Sequence, residues 1–220
     1  MDLGLKDKVV VITGASGGIG EETARAFAGE GAKVVAHYGH NKAAAEALAA
    51  SLPTESLAVQ ADITSEEGVA RLFEQAVAKF GTVNVVVANA GIFPVDDTPI
   101  HLMDKKRFDG VINVDLAGAW LTAREFFRVL ERTKPESASL VFISSTSGVF
   151  GEYGHSDYSP AKAGLIGLTL TLKNEIVRLV PTGRVNAVAP GWTWTPMTEQ
   201  FKTNTEAVTR ALQTRALRRV

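Results

Sequence analysis

Residues 8–20 decide the fold: they read Lys-Val-Val-Val-Ile-Thr-Gly-Ala-Ser-Gly-Gly-Ile-Gly, and a stretch with helical spacing follows at 21–29. The apolar, β-branched run is typical of a strand buried on both faces. Gly14 permits a sharp turn out of that strand, Gly18 lets the backbone approach a ligand, and Gly20 lets the helix pack closely. The start of such a helix favours an anion such as pyrophosphate. A nucleotide or dinucleotide site is the preferred interpretation, and an ordinary glycine-rich turn is the alternative.

The same alternation continues along the chain. Further short apolar runs, each typical of a buried strand, lie at 33–36, 56–60, 83–88, 139–144 and 184–188. Between them, helical spacing of Ala, Leu, Glu and Lys is found at 42–52, 66–80, 108–132 and 158–180. This order predicts an α/β fold, a doubly wound parallel sheet with right-handed crossovers. No linker, repeat or charge block divides the chain, so residues 1–220 are expected to form one domain.

Composition disfavours several classes of protein. Of the 220 residues, 45% are hydrophobic and 21% charged, which suits a sizeable core and is unlike a disordered or fibrous protein. The net charge of -1 disfavours a nucleic-acid partner, because proteins that bind the phosphate backbone of nucleic acids are usually basic. The absence of cysteine excludes disulfides, thiolate metal ligands and a cysteine nucleophile, and no metal site is expected. Without a signal-peptide core or an apolar run of about 20 residues, we expect a cytoplasmic protein with no membrane partner.

Four polar residues form a candidate catalytic set. Tyr158 and Lys162 lie four positions apart, so a helix places both on one face. A neighbouring ammonium lowers the pKa of a tyrosine, and such a pair can move a proton to or from an alcohol or ketone oxygen. Ser145 follows a predicted strand, where its hydroxyl either bonds a substrate carbonyl or caps a turn. Asn113 interrupts a helical stretch, where it either holds a water, kinks the helix or faces solvent.

Jointly, these motifs resemble the short-chain dehydrogenase/reductase family, in its single-domain branch. The stretch Thr13–Gly20 matches the family's T-G-x-x-x-G-x-G motif, and the resemblance covers residues 6 to about 200. Four residues match the catalytic set, namely Asn113, Ser145, Tyr158 and Lys162. The resemblance implies a three-layer α/β/α Rossmann fold. Family members usually continue with another helix and a final strand, so this domain is expected to be C-terminally short, without that strand, and with a basic helix beginning in 203–220.

The resemblance also implies which residues hold a nicotinamide cofactor. Asp62 matches the acidic residue beside the adenine ring, and Asn89-Ala90-Gly91 matches a strand end, although Ala88 replaces the usual preceding asparagine. Residues 190–195 match the P-G-x-x-x-T motif, which is expected to hold the nicotinamide. The full set of expected cofactor contacts is Gly14, Ser16, Gly18, Ile19, Gly20, Tyr38, His40, Asn41, Asp62, Ile63, Asn89, Ala90, Gly91, Tyr158, Lys162, Pro190, Gly191, Thr193 and Thr195.

The end of the second predicted strand bears on the choice of cofactor. An NAD enzyme would place an acidic residue near position 38 to bond the ribose 2′-hydroxyl, and Tyr38 stands there instead. His40, Asn41 and Lys42 are candidate contacts to a 2′-phosphate, with Ser16 as a further donor. The sequence therefore favours NADP(H), with NAD(H) as the alternative.

By the resemblance, the reaction is hydride transfer between a nicotinamide and a carbonyl or secondary alcohol. Tyr158 would protonate the substrate oxygen, Ser145 would polarise it, and Lys162 would lower the pKa of Tyr158 and bond the ribose. Asn113 would hold a proton-relaying water. A cofactor-binding but inactive sensor or partner protein is the alternative. A methyltransferase is disfavoured, because Tyr38 stands where an acidic residue would bind the adenosine hydroxyls.

Substrate and assembly follow from the same resemblance. The chain looks most like the 3-oxoacyl-acyl carrier protein reductase type, so a 3-oxoacyl-type ketone is a candidate small-molecule substrate. Its pocket would be lined by aromatic and apolar residues from 93–94, 149–153 and 192–194. A homodimer or larger homo-oligomer is expected, formed through the helices that carry Asn113 and Tyr158.

Overall fold

A parallel sheet of six strands, in the order β3-β2-β1-β4-β5-β6, forms the centre of the molecule. The computed structural model describes residues 2–199, 203, 208 and 209, so the basic helix predicted within 203–220 lies outside the described residues apart from three isolated positions. The strands are β1 (Val9–Ile12), β2 (Lys33–Tyr38), β3 (Ser56–Gln60), β4 (Val85–Ala88), β5 (Ser139–Ile143) and β6 (Arg184–Val188). Each predicted apolar run therefore coincides with a strand, and β2 extends two residues beyond the run predicted at 33–36.

Seven α-helices connect or follow these strands in the described part of the chain. They are α1 (Gly18–Gly29), α2 (Lys42–Ser51), α3 (Glu66–Phe80), α4 (Lys105–Ile112), α5 (Gly118–Thr133), α6 (Thr146–Phe150) and α7 (Tyr158–Leu179). The stretch predicted as one helix over 108–132 is divided, because a π-helical turn at Asn113–Ala117 separates α4 from α5. None of the helices described has the length and apolarity that a membrane crossing requires.

Both faces of the sheet are buried. Val9 and Val11 of β1 join one apolar cluster with residues of α3, α5 and α7. Val10 and Ile12 point the other way and join a second cluster with residues of α1 and α2. Successive side chains of a strand alternate between its faces, so burial on both sides requires the continuous apolar runs seen in the sequence. The predicted doubly wound, three-layer Rossmann-type fold is confirmed.

The strand order reverses beside β1, which pairs with β2 on one side and β4 on the other. At such a point the connecting helices leave on opposite faces of the sheet, and a crevice opens at the carboxyl ends of the strands. The glycine loop follows β1, and the segments that follow β4 and β5 come to the same edge. The topology therefore places the predicted motifs together.

Candidate active site

A cleft of about 480 Å³ opens at this edge of the sheet. Ser145, Tyr158 and Lys162 of the predicted catalytic set line the cleft. The other predicted residues that line it are Gly14, Ser16, Gly18, Ile19, Asn41, Asn89, Ala90, Gly91, Pro190, Gly191, Thr193 and Thr195. The fold therefore brings most of the predicted site together in one continuous cleft.

The glycine loop depends on the small size of its glycines. Gly14 has a φ of +66°, and a Cβ there would lie 2.9 Å from the Cα of Ala90. Gly18 has a φ of +59°, and its Cβ would lie 3.2 Å from the side chain of Thr195. A Cβ on Gly20 would lie 2.3 Å from the carbonyl oxygen of Gly14, so this position packs beneath the loop rather than lining the cleft. The open, side-chain-free cradle at the start of α1 fits a pyrophosphate group.

Two side chains brace the glycine loop against the end of β4. The amide nitrogen of Asn89 donates to the carbonyl oxygens of Thr13 (3.0 Å) and Gly14 (3.1 Å). The hydroxyl of Thr13 in turn accepts from the backbone N–H groups of Asn89 and Ala90, both at 3.0 Å. These bonds hold the two loops in register, so Asn89 supports the cradle as well as lining it.

His37 is a buried part of this framework that sequence reasoning missed. Its Nδ1 accepts from the backbone N–H of Gly14 at 3.0 Å, and its Nε2 lies 3.0 Å from the carbonyl oxygen of Ala61. Since Nδ1 is an acceptor, the ring is neutral with its proton on Nε2. Burial lowers the pKa of His37, which keeps that form. The only signal in the sequence is a histidine within an otherwise apolar strand.

Of the residues predicted to lie near the adenosine, Asn41 lines the cleft, whereas Tyr38, His40, Asp62 and Ile63 lie outside its lining. Tyr38 is buried at the end of β2, and Ile63 is also buried, whereas His40 and Asp62 are exposed. Asn41 is exposed and caps α2. The Asp62 carboxylate accepts from the hydroxyl and the N–H of a threonine two residues on, and these bonds lower its pKa.

Three catalytic candidates converge at the other end of the cleft. Tyr158 is the first residue of α7, and its N–H is capped by the Asp157 carboxylate at 2.8 Å. Lys162 follows one turn later, with Nζ 5.5 Å from the centroid of the Tyr158 ring and 3.1 Å from the carbonyl oxygen of Ile143. Ser145 caps α6 by accepting from a backbone N–H, and it also hydrogen-bonds Tyr158. Ser145 therefore acts as a cap, one of the two roles expected for it, and its bond to a substrate carbonyl stays a prediction.

Asn113 does not join them, which corrects the expectation from the sequence. It is exposed on the π-helical turn and lies outside the cleft lining. Asp115 stands there instead, fully buried, with Oδ1 accepting from the Ile92 N–H at 2.8 Å and Oδ2 3.2 Å from Nζ of Lys162. Two positions along a helix are about half a turn apart, so when Asp115 faces the cleft Asn113 faces away from it.

The electrostatics of the site also differ from the expectation. Burial raises the pKa of Tyr158 to about 12, and the negative charges of Asp115 and Glu152 act in the same direction against the Ser145 hydrogen bond. Burial also raises the pKa of Asp115, although the ammonium of Lys162 opposes this. The lowered pKa predicted for Tyr158 is therefore not found, because burial and the two carboxylates raise it instead.

The cleft lining next to Tyr158 is mostly apolar and includes one further acidic group besides Asp115. Phe93 packs edge-on against Tyr158 at 5.0 Å between ring centroids, and Trp192 and Met197 complete the lining there. The predicted aromatic residues Phe150 and Tyr153 are 83% and 72% exposed and lie outside the cleft lining. The lining residue from this segment is Glu152, which sequence reasoning did not single out.

A guanidinium group orders the segment before α7. Nε of Arg107 pairs with the buried Asp157 carboxylate at 2.7 Å. Its terminal nitrogens donate to the carbonyl oxygens of Asp96 (2.8 Å) and Gly154 (3.2 Å) and to the Thr98 hydroxyl (2.6 Å). Arg107 thus ties two loops to the residue that caps α7, through contacts up to 50 residues apart in the chain.

The chain is similar to known proteins along most of its length. The family model described as short chain dehydrogenase matches residues 8–206. A 3-oxoacyl-[acyl-carrier-protein] reductase of Synechocystis sp. is 38% identical over 200 residues, 90% of this chain and 78% of that protein. A cis-4-hydroxycyclohexanecarboxylate dehydrogenase of Sinomonas cyclohexanicum is 37% identical over 94% of this chain and 82% of its own. The 3-oxoacyl-[acyl-carrier-protein] reductase FabG of Thermotoga maritima is 37% identical, with 90% and 78% covered. The chain therefore belongs to the short-chain dehydrogenase family, and it is an oxidoreductase of the ketone and alcohol class.

Proposed function

We propose that this protein is an NADP(H)-dependent carbonyl reductase in which Ser145, Tyr158 and Lys162 act on the substrate oxygen. One observation carries the proposal: these three side chains meet at one end of a cleft whose other end is the glycine cradle. That convergence disfavours the alternative of an inactive, cofactor-binding relative, since such a protein has no need of it.

Ser145, Tyr158 and Lys162 each have a separate role in the reduction. A bound nicotinamide supplies the hydride. The Ser145 hydroxyl donates a hydrogen bond to the substrate oxygen and polarises the carbonyl. With its raised pKa, Tyr158 is protonated at neutral pH, so its phenol gives the oxygen its proton as the alcohol forms. The Lys162 ammonium and the Ser145 hydroxyl then stabilise the phenolate that remains.

The preference for NADP(H) is supported by the end of β2. Tyr38 is buried there and offers no carboxylate, whereas His40, Asn41 and Lys42 are exposed at the corner that follows. A cationic or hydrogen-bonding corner suits a 2′-phosphate, and an acid would repel it. Calorimetric titration with NADPH and then NADH tests the choice. Tighter binding of NADPH is expected, and a preference for NADH would overturn this assignment.

A 3-oxoacyl-type ketone is the substrate we propose, on the strength of two relatives that are named 3-oxoacyl reductases. The apolar lining by Phe93, Trp192 and Met197 suits an acyl chain. Oxidation of NADPH in the presence of a 3-oxoacyl thioester, followed at the nicotinamide absorbance, tests this. A rate no higher than without thioester would remove this substrate class.

We also propose a homodimer formed through α5 and α7. Trp120 on α5 and Leu170 and Val177 on α7 are large apolar side chains that stay exposed in the single chain. Burying such a face against its copy removes apolar surface from water. Sedimentation at micromolar concentration is expected to show at least a dimer, and a monomer would contradict the proposal.

A further inference from the structure

We propose that Glu152 makes the substrate end of the cleft select carbonyl compounds that carry a cationic amine over those that carry an anionic group. The inference rests on the proposed function, because it adds a charge preference to the reduction of ketones proposed for the same site. It concerns the charge of the substrate body beside the reacting carbonyl.

Glu152 lies beside the groups that act on the substrate oxygen. Its carboxylate accepts a hydrogen bond from the Ser147 hydroxyl, and the Ser147 N–H donates to Oγ of Ser145 at 3.1 Å. It is also close enough for its charge to raise the pKa of Tyr158. A substrate held by Ser145 and Tyr158 therefore has Glu152 as a near neighbour.

The charges of the cleft leave this carboxylate as the group available to a ligand. Among the described residues that line it, the charged side chains are Asp115, Glu152 and Lys162. Asp115 and Lys162 are buried and paired with each other at 3.2 Å. Glu152 is partly exposed, and the hydrogen bond from Ser147 uses one of several acceptor positions of its carboxylate.

The neighbouring surface suits an ammonium carried on an apolar body. Phe93 and Trp192 line the same end of the cleft and supply aromatic, apolar surface beside such a body. Aromatic faces attract cations, and Glu152 adds a full negative charge. A carboxylate or phosphate in the same place meets repulsion from Glu152 and, among the described lining residues, finds a single cation that is already paired. Glu152 attracts the cationic compounds and repels the anionic ones. We expect the two substrate classes to differ by about tenfold in affinity.

Three cyclohexanones that differ in charge test the inference. Each carries one group on the ring carbon opposite the carbonyl: aminomethyl, carboxamide or carboxylate. The ratio of kcat/KM between the cationic and the anionic ketone is measured at neutral pH with NADPH. Calorimetric affinities for the same ketones, with oxidised cofactor present so that no turnover occurs, give a second readout. Both are repeated with Glu152→Gln and with the matched remote variant Glu131→Gln, whose carboxylate is exposed on α5.

The expected result is a cation-to-anion ratio of about ten in the unaltered protein and in Glu131→Gln, falling toward one in Glu152→Gln. Charge-dependent binding that Glu152→Gln abolishes, without any reduction, would support this inference and contradict the proposed function. Reduction of all three ketones at similar efficiency would support the proposed function and overturn this inference. A ratio that Glu152→Gln leaves unchanged would assign the selectivity to another group and overturn this inference. Neither reduction nor binding of the three ketones would also overturn this inference, and NADPH oxidation with the 3-oxoacyl thioester then decides separately whether the proposed function stands.

Discussion

Nζ of Lys162 lies 3.2 Å from Oδ2 of Asp115, and both side chains are buried beneath the cleft. Burial removes both charged groups from water, and their attraction for each other offsets part of that desolvation cost. The negative charge of Asp115 acts to raise the pKa of the Tyr158 phenol. Asp115 therefore influences the proton chemistry of a residue that it need not touch.

The first prediction concerns the pH dependence of that chemistry. In the proposed mechanism, alcohol oxidation needs the Tyr158 phenolate, so its rate is expected to rise with pH toward the raised pKa of this residue. Asp115→Asn removes a negative charge that disfavours the phenolate. The alkaline limb of the pH–rate profile is expected to move to lower pH. Asp109→Asn, an exposed change on α4, serves as the control, and a limb that moves equally in both variants would remove Asp115 from this role.

Tyr158→Phe is expected to abolish most turnover while cofactor affinity is retained. The change removes the hydroxyl that donates the proton and keeps the ring that packs edge-on against Phe93. Loss of a positioned general acid costs about 10²–10⁴-fold in rate. Initial rates check the loss of turnover, and calorimetric titration with NADPH checks that cofactor affinity is retained. Tyr153→Phe, at an exposed position, is the matched control, and undiminished turnover in Tyr158→Phe would contradict the assignment.

His37→Gln is expected to change how stability depends on pH. The pKa of His37 in the folded protein lies below its unfolded value of about 6.5, because burial disfavours the charged ring. As the pH falls through that value, the unfolded chain takes up a proton that the folded chain resists, so the folded state loses stability. Urea unfolding across this range is expected to show a shallower acid loss in His37→Gln. Equal slopes in the two proteins would show that His37 makes no such contribution.

Arg107→Leu is expected to destabilise the fold and loosen the start of α7. Burial acts to raise the pKa of Asp157, and the hydrogen bonds from Arg107 and the Tyr158 N–H outweigh it, so the pKa is lowered overall. Removing the guanidinium leaves a buried carboxylate unpaired, at a cost of about 3 kcal/mol. Lys105→Leu breaks an exposed ion pair on the same helix and is expected to cost less than about 1 kcal/mol. Denaturant midpoints compare the two, and equal costs would contradict the buried pairing.

Much of the fold could be predicted because its signals are local. The apolar runs and the glycine loop each depend on neighbours in sequence, and β3, predicted at 56–60, is observed at Ser56–Gln60. The placement of Tyr158 and Lys162 on one helix face is local in the same way. The division of the helix predicted at 108–132 was not predicted. A π-helical turn adds one residue to a helical turn, and this change leaves the pattern of apolar residues in the sequence almost unaltered.

The parts of the site that sequence reasoning missed depend on contacts across the fold. The position of Asp115 depends on which side of the helix packs against the loop after β4. His37 bonds residues 23 and 24 positions away, and Arg107 reaches one 50 positions away. The pKa of Tyr158 depends on burial and on the carboxylates of Asp115 and Glu152. The distances between these groups cannot be read from their spacing in the sequence. Chemistry that rests on such distances becomes visible only when the chain is folded.

The brace between Thr13 and Asn89 has a practical consequence for engineering. The phosphate cradle is already hydrogen-bonded into shape, with Asn89 holding the carbonyl oxygens of residues 13 and 14. The exposed corner at His40 and Asn41 is built separately, on the start of α2. Residues at that corner can therefore be exchanged to retune cofactor choice while the cradle stays intact, so the recognition of the dinucleotide divides into a fixed module and a replaceable one.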